Sequence, residues 1–162
     1  MLKKIIALLR GMQPELYMVE RDIPGIAAAD ALDANDTIGV MFQLPVPEAG
    51  EIVEARLIDR DDDTLALTAH LFTSEVTVPA SDAAFTISAA HSLRWVTSIT
   101  FDTPIVDIGS AKVSEKVGES YYVSPNKALW CICSTTGTPN IAAGAMPVLQ
   151  LLVKPLARRV EA

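Results

Sequence analysis

Residues 64–72 read TLALTAHLF, and this stretch decides the fold. Leu65, Leu67, Ala69 and Leu71 fall on one side of an extended chain, and Thr64, Ala66, Thr68, His70 and Phe72 on the other. A period of two sustained over nine residues is the pattern of a β-strand with one face in a core. Just upstream, residues 51–59 read EIVEARLID, with Val53, Ala55 and Leu57 on one side and Ile52, Glu54, Arg56 and Ile58 on the other. The run DRDDD from Asp59 separates the two. They are therefore expected to form an antiparallel hairpin around an acidic turn.

The same grammar continues in both directions. ELYMVERD from Glu15 is a strand closed by Pro24 and Gly25. An alanine-rich stretch then leads to TIGVMF, where Ile38, Val40 and Phe42 alternate with Thr37, Gly39 and Met41. WVTSITF puts Trp95, Thr97, Ile99 and Phe101 on one face, and Pro104, Gly109 and Gly118 punctuate short strands at IVDI, AKVSEKV and SYYV. ALWCICS is a further strand, TTGTPN a turn, and MPVLQLLV the closing strand with Leu149, Leu151 and Val153 inward. Helix is expected as a short turn over residues 88–93, where Ser88 caps and two alanines follow, while the first ten residues, with a helical stripe at Leu2, Ile5, Ile6 and Leu9, are short enough to be a strand instead. The chain thus reads as all-β: one antiparallel β-sandwich domain, jelly-roll-like, with one or two short helical segments. Residues 15–162 make up the sandwich, and residues 1–14 an N-terminal arm or edge segment.

Composition narrows the function. Half of the 162 residues are hydrophobic, which excludes a disordered chain. Thirteen Lys and Arg against 20 Asp and Glu give a formal charge of -7, the wrong sign for a nucleic-acid surface. No window approaches the ~18 apolar residues of a membrane helix. The start, MLKKIIALLR, resembles a secretion signal, but its apolar run ends at Arg10 after five residues and no small-residue cleavage site follows.

Catalytic and metal chemistry finds no complete set of residues. Asp59, Asp61 and Asp63 begin like a calcium loop, yet Thr64 stands where the turn glycine is needed and His70 where a bidentate Glu is needed. His70 and His91 are 21 residues apart without the paired spacing of a zinc site. No nucleophile elbow, Cys-His signature or phosphate-binding loop occurs. Neither catalytic, cofactor-binding nor metal residues are assigned. Cys131 and Cys133 sit at i and i+2 of a strand, about 7 Å apart and at the limit of disulfide reach, so they are read as small core hydrophobes. Trp95, Tyr121, Tyr122 and Trp130 are read as core rather than as sugar-stacking platforms.

Three stretches carry a resemblance: NDTIGVMF from Asn35, the block EIVEARLIDRDDDTLALTAHLF from Glu51, and SDAAFTIS from Ser81. LWCICSTTGTPN and PVLQLLV follow in the same order. Together they resemble the jelly-roll head decoration or cement proteins of tailed bacteriophages. The resemblance implies a structural virion protein, made in the host cytoplasm, that binds the major capsid protein on the capsid surface as a homotrimer. It supplies no catalytic residues. Residues 1–14 depart from the family pattern. Their apolar positions Leu2, Ile5, Ile6 and Leu9, rimmed by Lys3, Lys4 and Arg10, are the candidate intersubunit or capsid contact. The alternative is a ligand- or receptor-binding sandwich, lectin-like or part of a spike, which needs at least two of the four aromatics exposed beside Asp or Asn.

Overall fold

Among the described residues, eight long strands pair first with last, second with seventh, third with sixth and fourth with fifth, and this order defines the architecture. The computed structural model describes residues 15–26, 32–60, 65–102, 106–107, 111–139, 141 and 145–156. Its elements are β1 (Tyr17–Asp22), β2 (Thr37–Pro45), β3 (Ala49–Asp59), β4 (Leu67–Phe72), a single helical turn α1 (Ala89–Ser92), β5 (Trp95–Phe101), β6 (Val106–Asp107), β7 (Lys112–Val123), β8 (Ala128–Thr135) and β9 (Val148–Pro155). One sheet has the order β1-β9-β3-β7-β6 and the other β2-β8-β4-β5, and every pairing is antiparallel. Setting aside the two-residue β6, the chain is one long hairpin whose successive strand pairs alternate between two sheets. That is the wrapping of a jelly roll.

The inner faces meet in one core. It joins Leu67, Ala69 and Leu71 of β4 to Leu57 and Ala55 of β3, with Leu149, Leu151 and Val153 of β9 and Leu129, Cys131 and Cys133 of β8, all nearly inaccessible to water. Each buried Leu, Ile or Phe contributes about 1.5–3 kcal/mol. Exposed ion pairs such as Arg60–Asp22 contribute about 0–1 kcal/mol each. The core, not the surface charge, holds the sandwich together. At one rim Ser120 donates to Thr97 across the two sheets (3.2 Å), and at the other the Arg21 Nε donates to the Gln43 carbonyl (3.4 Å).

The expected hairpin of residues 51–72 does not form. β3 pairs with β7 and β9, whereas β4 pairs with β5 and β8 in the opposite sheet. The physical reason is the length of the connection. Tight hairpins use about two to five residues, while residues 60–66 are long enough to cross the ~10 Å between stacked sheets. The Asp59 carboxylate at the end of β3 accepts the Leu65 N–H (3.1 Å), two residues before β4. The acidic run marks a turn correctly but not which strand lies beyond it.

Three smaller corrections also concern strand continuity and parity, which simple alternation misses. In β2 the register shifts between Ile38 and Phe42, so Val40, expected beside them, is exposed. Gly39 makes the shift possible. Its φ is +67°, and a Cβ there would overlap the Pro24 carbonyl oxygen. In β3 the register shifts between Ile52 and Glu54, which turns Ile52 into the core in place of Val53. Gly118 does not divide AKVSEKV from SYYV; β7 runs through it as one 12-residue strand. The helical turn falls where expected, with Ser88 Oγ accepting the His91 N–H. Residues 1–14, and with them Leu2, Ile5, Ile6 and Leu9, lie outside the described residues.

Candidate functional site

Two outer faces, one on each sheet, differ in how they are finished. The outer face of the four-stranded sheet is covered by residues 73–88, which form a strap. The strap leaves β4 at Thr73 and reaches the β2 edge, where Thr37 N–H donates to Ala83 (2.8 Å) and Phe85 N–H donates to Asn35 (2.7 Å). It then returns through α1 to β5. Val76 under the strap is buried with Phe72 and Ile132, and Met41, Val78, Phe85, Ile87 and Trp130 pack around them. This second small core accounts for the burial of Phe72 and Ile132 on the outer side of β4 and β8. It also covers part of the β2 edge, which would otherwise present unpaired backbone.

His70 lies at the centre of that face. Its ring stacks on Phe85 with centroids 4.2 Å apart, Nδ1 meets Ser98 Oγ at 2.8 Å and Nε2 meets Ser134 Oγ at 3.0 Å. Burial disfavours the imidazolium and lowers its pKa from 6.5 to about 4. With both ring nitrogens engaged by hydroxyls, His70 serves as a clamp for the strap. Among the described residues no group of three or more His, Cys, Asp or Glu stands close enough together to hold a metal ion. Asp61 and Asp63 lie outside the described residues.

The outer face of the five-stranded sheet carries no such strap among the described residues. Register places Met18, Leu152, Glu54 and Val117 in one row across β1, β9, β3 and β7. A neighbouring row on the same face contains Lys154, Glu51 and Tyr121. Met18, Tyr121 and Val117 are exposed at 59%, 61% and 79%, and their common face makes them a patch rather than scattered surface apolars. On the other side of the apolar row runs a polar one, in which Gln150 donates to Glu20 (3.0 Å) and Arg56 bridges Glu54 and Glu115. Lys154 Nζ stands 3.7 Å from the largely buried Glu51 carboxylate.

Of the four aromatics, Tyr122 is buried and Trp130 half-buried against the strap, as expected of core residues. Burial pushes the Tyr122 phenol pKa upward. Trp95 and Tyr121 are exposed, against expectation. They stand on different sheets, and the Trp95 indole N–H is engaged by Ser98 (3.0 Å). They do not make a shared stacking platform. The expectation for the cysteines holds in geometry: Cys131 and Cys133 are buried and free, and burial raises the Cys131 thiol pKa well above its ordinary value.

Grooves offer little convergent chemistry. One of about 640 Å³ bends around the β1 rim between Phe42, Arg60, Met146 and Gln150. Its four charged side chains are already matched, Arg60 to Asp22 (3.1 Å), Glu20 to Gln150 and Arg21 to the Gln43 carbonyl. A smaller one of about 260 Å³ lies between β5 and β7, lined by Thr97, Ile99, Lys116 and Ser120. No described helix is long and apolar enough to cross a membrane. No protein-family model and no curated protein sequence matches the chain.

The apolar row on the five-stranded sheet is a feature that sequence reasoning missed. Its signal lies in the outward positions of each strand, Met18, Leu152 and Val117, which alternation assigns to solvent although they are apolar. Only the pairing of β1, β9, β3 and β7 assembles them.

Proposed function

We propose that the chain is a structural virion protein, a jelly-roll sandwich that binds the surface of a tailed-phage head and reinforces the shell. The observation that carries this reading is a completed jelly roll whose five-stranded sheet exposes Met18, Val117 and Tyr121 on an outer face that no strap covers among the described residues. The wrap is one used by viral capsid domains, but a fold hosts many functions. The uncovered face is what favours a role in surface binding. Its partner is the major capsid protein, and the protein acts as a homotrimer in which Leu2, Ile5, Ile6 and Leu9 supply an intersubunit or capsid contact. The formal charge of -7 argues against a nucleic-acid partner. Proteomic quantification of purified particles of the phage that encodes the chain tests this. The chain should be present in a fixed ratio to the major capsid protein, and particles without it would refute the proposal.

A second reading, a receptor- or ligand-binding sandwich without catalysis, is favoured only by the groove at the β1 rim. Binding of the purified chain to host-cell surfaces, abolished by Arg60→Ala or Phe42→Ala in folded protein, would support it over the first.

A further inference from the structure

The His70 clamp and the buried thiols are satisfied within the fold, and the two grooves gather no convergent set of free polar groups. The outer face of the five-stranded sheet differs from them in exposing the apolar side chains Met18 and Val117, with Tyr121 beside them. We infer that the Met18–Leu152–Val117 row and Tyr121 receive the basic apolar segment Leu2–Leu9 of a second copy of this chain. This inference rests on the reading of that segment as an intersubunit or capsid contact, and it supplies the acceptor surface.

Three observations converge on this occupant. The first is charge. Residues 1–10 hold three of the chain's 13 Lys and Arg and none of its 20 Asp and Glu, which leaves the remaining residues with a formal charge of -10. Glu54 lies within the row and Glu51, Glu115 and Glu20 flank it; Arg56 pairs with Glu54 and Glu115 and Lys154 stands near Glu51, so four carboxylates face two cations there. A segment that is apolar at Leu2, Ile5, Ile6 and Leu9 and cationic at Lys3, Lys4 and Arg10 complements both features.

The second is apolar area. Met18, Val117 and Tyr121 are each more than half exposed, and register brings them together with Leu152 on one face. The third is position and reach. The row begins at Met18, four residues after the last residue of the 1–14 segment. Fourteen residues span at most about 45–50 Å, against roughly 15 Å across four strands. That length reaches a neighbouring molecule. Because every copy has one segment and one face, the exchange either pairs two copies reciprocally or runs head-to-tail, and the head-to-tail form closes into a ring when the rotation allows, which suits a trimer.

The test is disulfide trapping with full-length single variants. Ile5→Cys protein is mixed with Val117→Cys protein under mild oxidation, and products are read on a non-reducing gel. Cys131 and Cys133 are buried and contribute no background. A covalent heterodimer found only in the mixture, and reduced at least tenfold by Lys3→Glu/Lys4→Glu, is the expected result. A doubly substituted chain that closes only on itself would show that the face takes its own segment, and no cross-link in any combination would show that the face is not the acceptor. Either overturns the inference. Binding to heads is scored separately. A trapped heterodimer that ignores heads leaves this surface standing and removes the virion reading, and head binding without any cross-link does the reverse.

Discussion

Replacing His70 with Gln should remove a defined part of the protein's acid sensitivity. His70 is neutral in the fold, clamped between Ser98, Ser134 and Phe85, with its pKa lowered from 6.5 to about 4. A group whose folded pKa is depressed binds its proton more readily in the unfolded chain. Its contribution is therefore complete above about pH 6.5, is lost as pH falls from 6.5 toward 4, and is constant below that. At about 1.36 kcal/mol per pH unit the gap caps the effect at about 3 kcal/mol. Partial exposure of the ring to solvent reduces the expectation to about 1–2 kcal/mol. The replacement amide retains hydrogen bonding to the serines but loses the Phe85 stack, a constant offset of about 0.5–1.5 kcal/mol at all pH values.

Urea unfolding of wild type and His70→Gln at pH values of about 7.5, 6.5, 5.5 and 4.5 isolates the effect, since carboxylate titration is common to both proteins. The stability difference between them should shrink by about 1–2 kcal/mol from the highest of these pH values to the lowest. A difference that stays flat over that range would refute the placement of a buried neutral imidazole beneath the strap.

Two further outcomes follow from the geometry. Gly39→Ala should destabilise by at least about 2 kcal/mol in urea unfolding, because its Cβ meets the Pro24 carbonyl and its φ is positive, whereas Gly118→Ala, with nothing within 4 Å, should be close to neutral. Native protein should leave Cys131 and Cys133 unreactive toward a thiol-titrating disulfide reagent over an hour and show two reactive thiols in denaturant; rapid native labelling would contradict their burial.

The sandwich is legible in the sequence because alternation is a local property. The inward sets Leu65, Leu67, Ala69 and Leu71, and Leu149, Leu151 and Val153, are buried. Pairing is less legible. The acidic run of residues 59–63 separates strands of opposite sheets rather than the two arms of a hairpin, because turn residues specify that a chain bends and not which sheet it enters. Burial of Phe72 on the nominal solvent face depends on the strap, whose Val76 and Phe85 lie outside any alternating strand. Alternation puts Val40 and Ile52 on the wrong sides because a bulge inverts the parity of the strand beyond it. The apolar outer row is hidden for another reason. Its members come from strands distant in sequence, and no single stretch contains the pattern.

The proposed virion role is tested most directly by sedimentation. Under that proposal, heads of the source phage from which the chain has been removed are mixed with purified protein, pelleted and quantified. The predicted result is saturable co-sedimentation in a fixed ratio to the major capsid protein, with the reconstituted heads gaining resistance to heat or chelation. Folded protein that stays wholly in the supernatant while the intact heads pellet would contradict it.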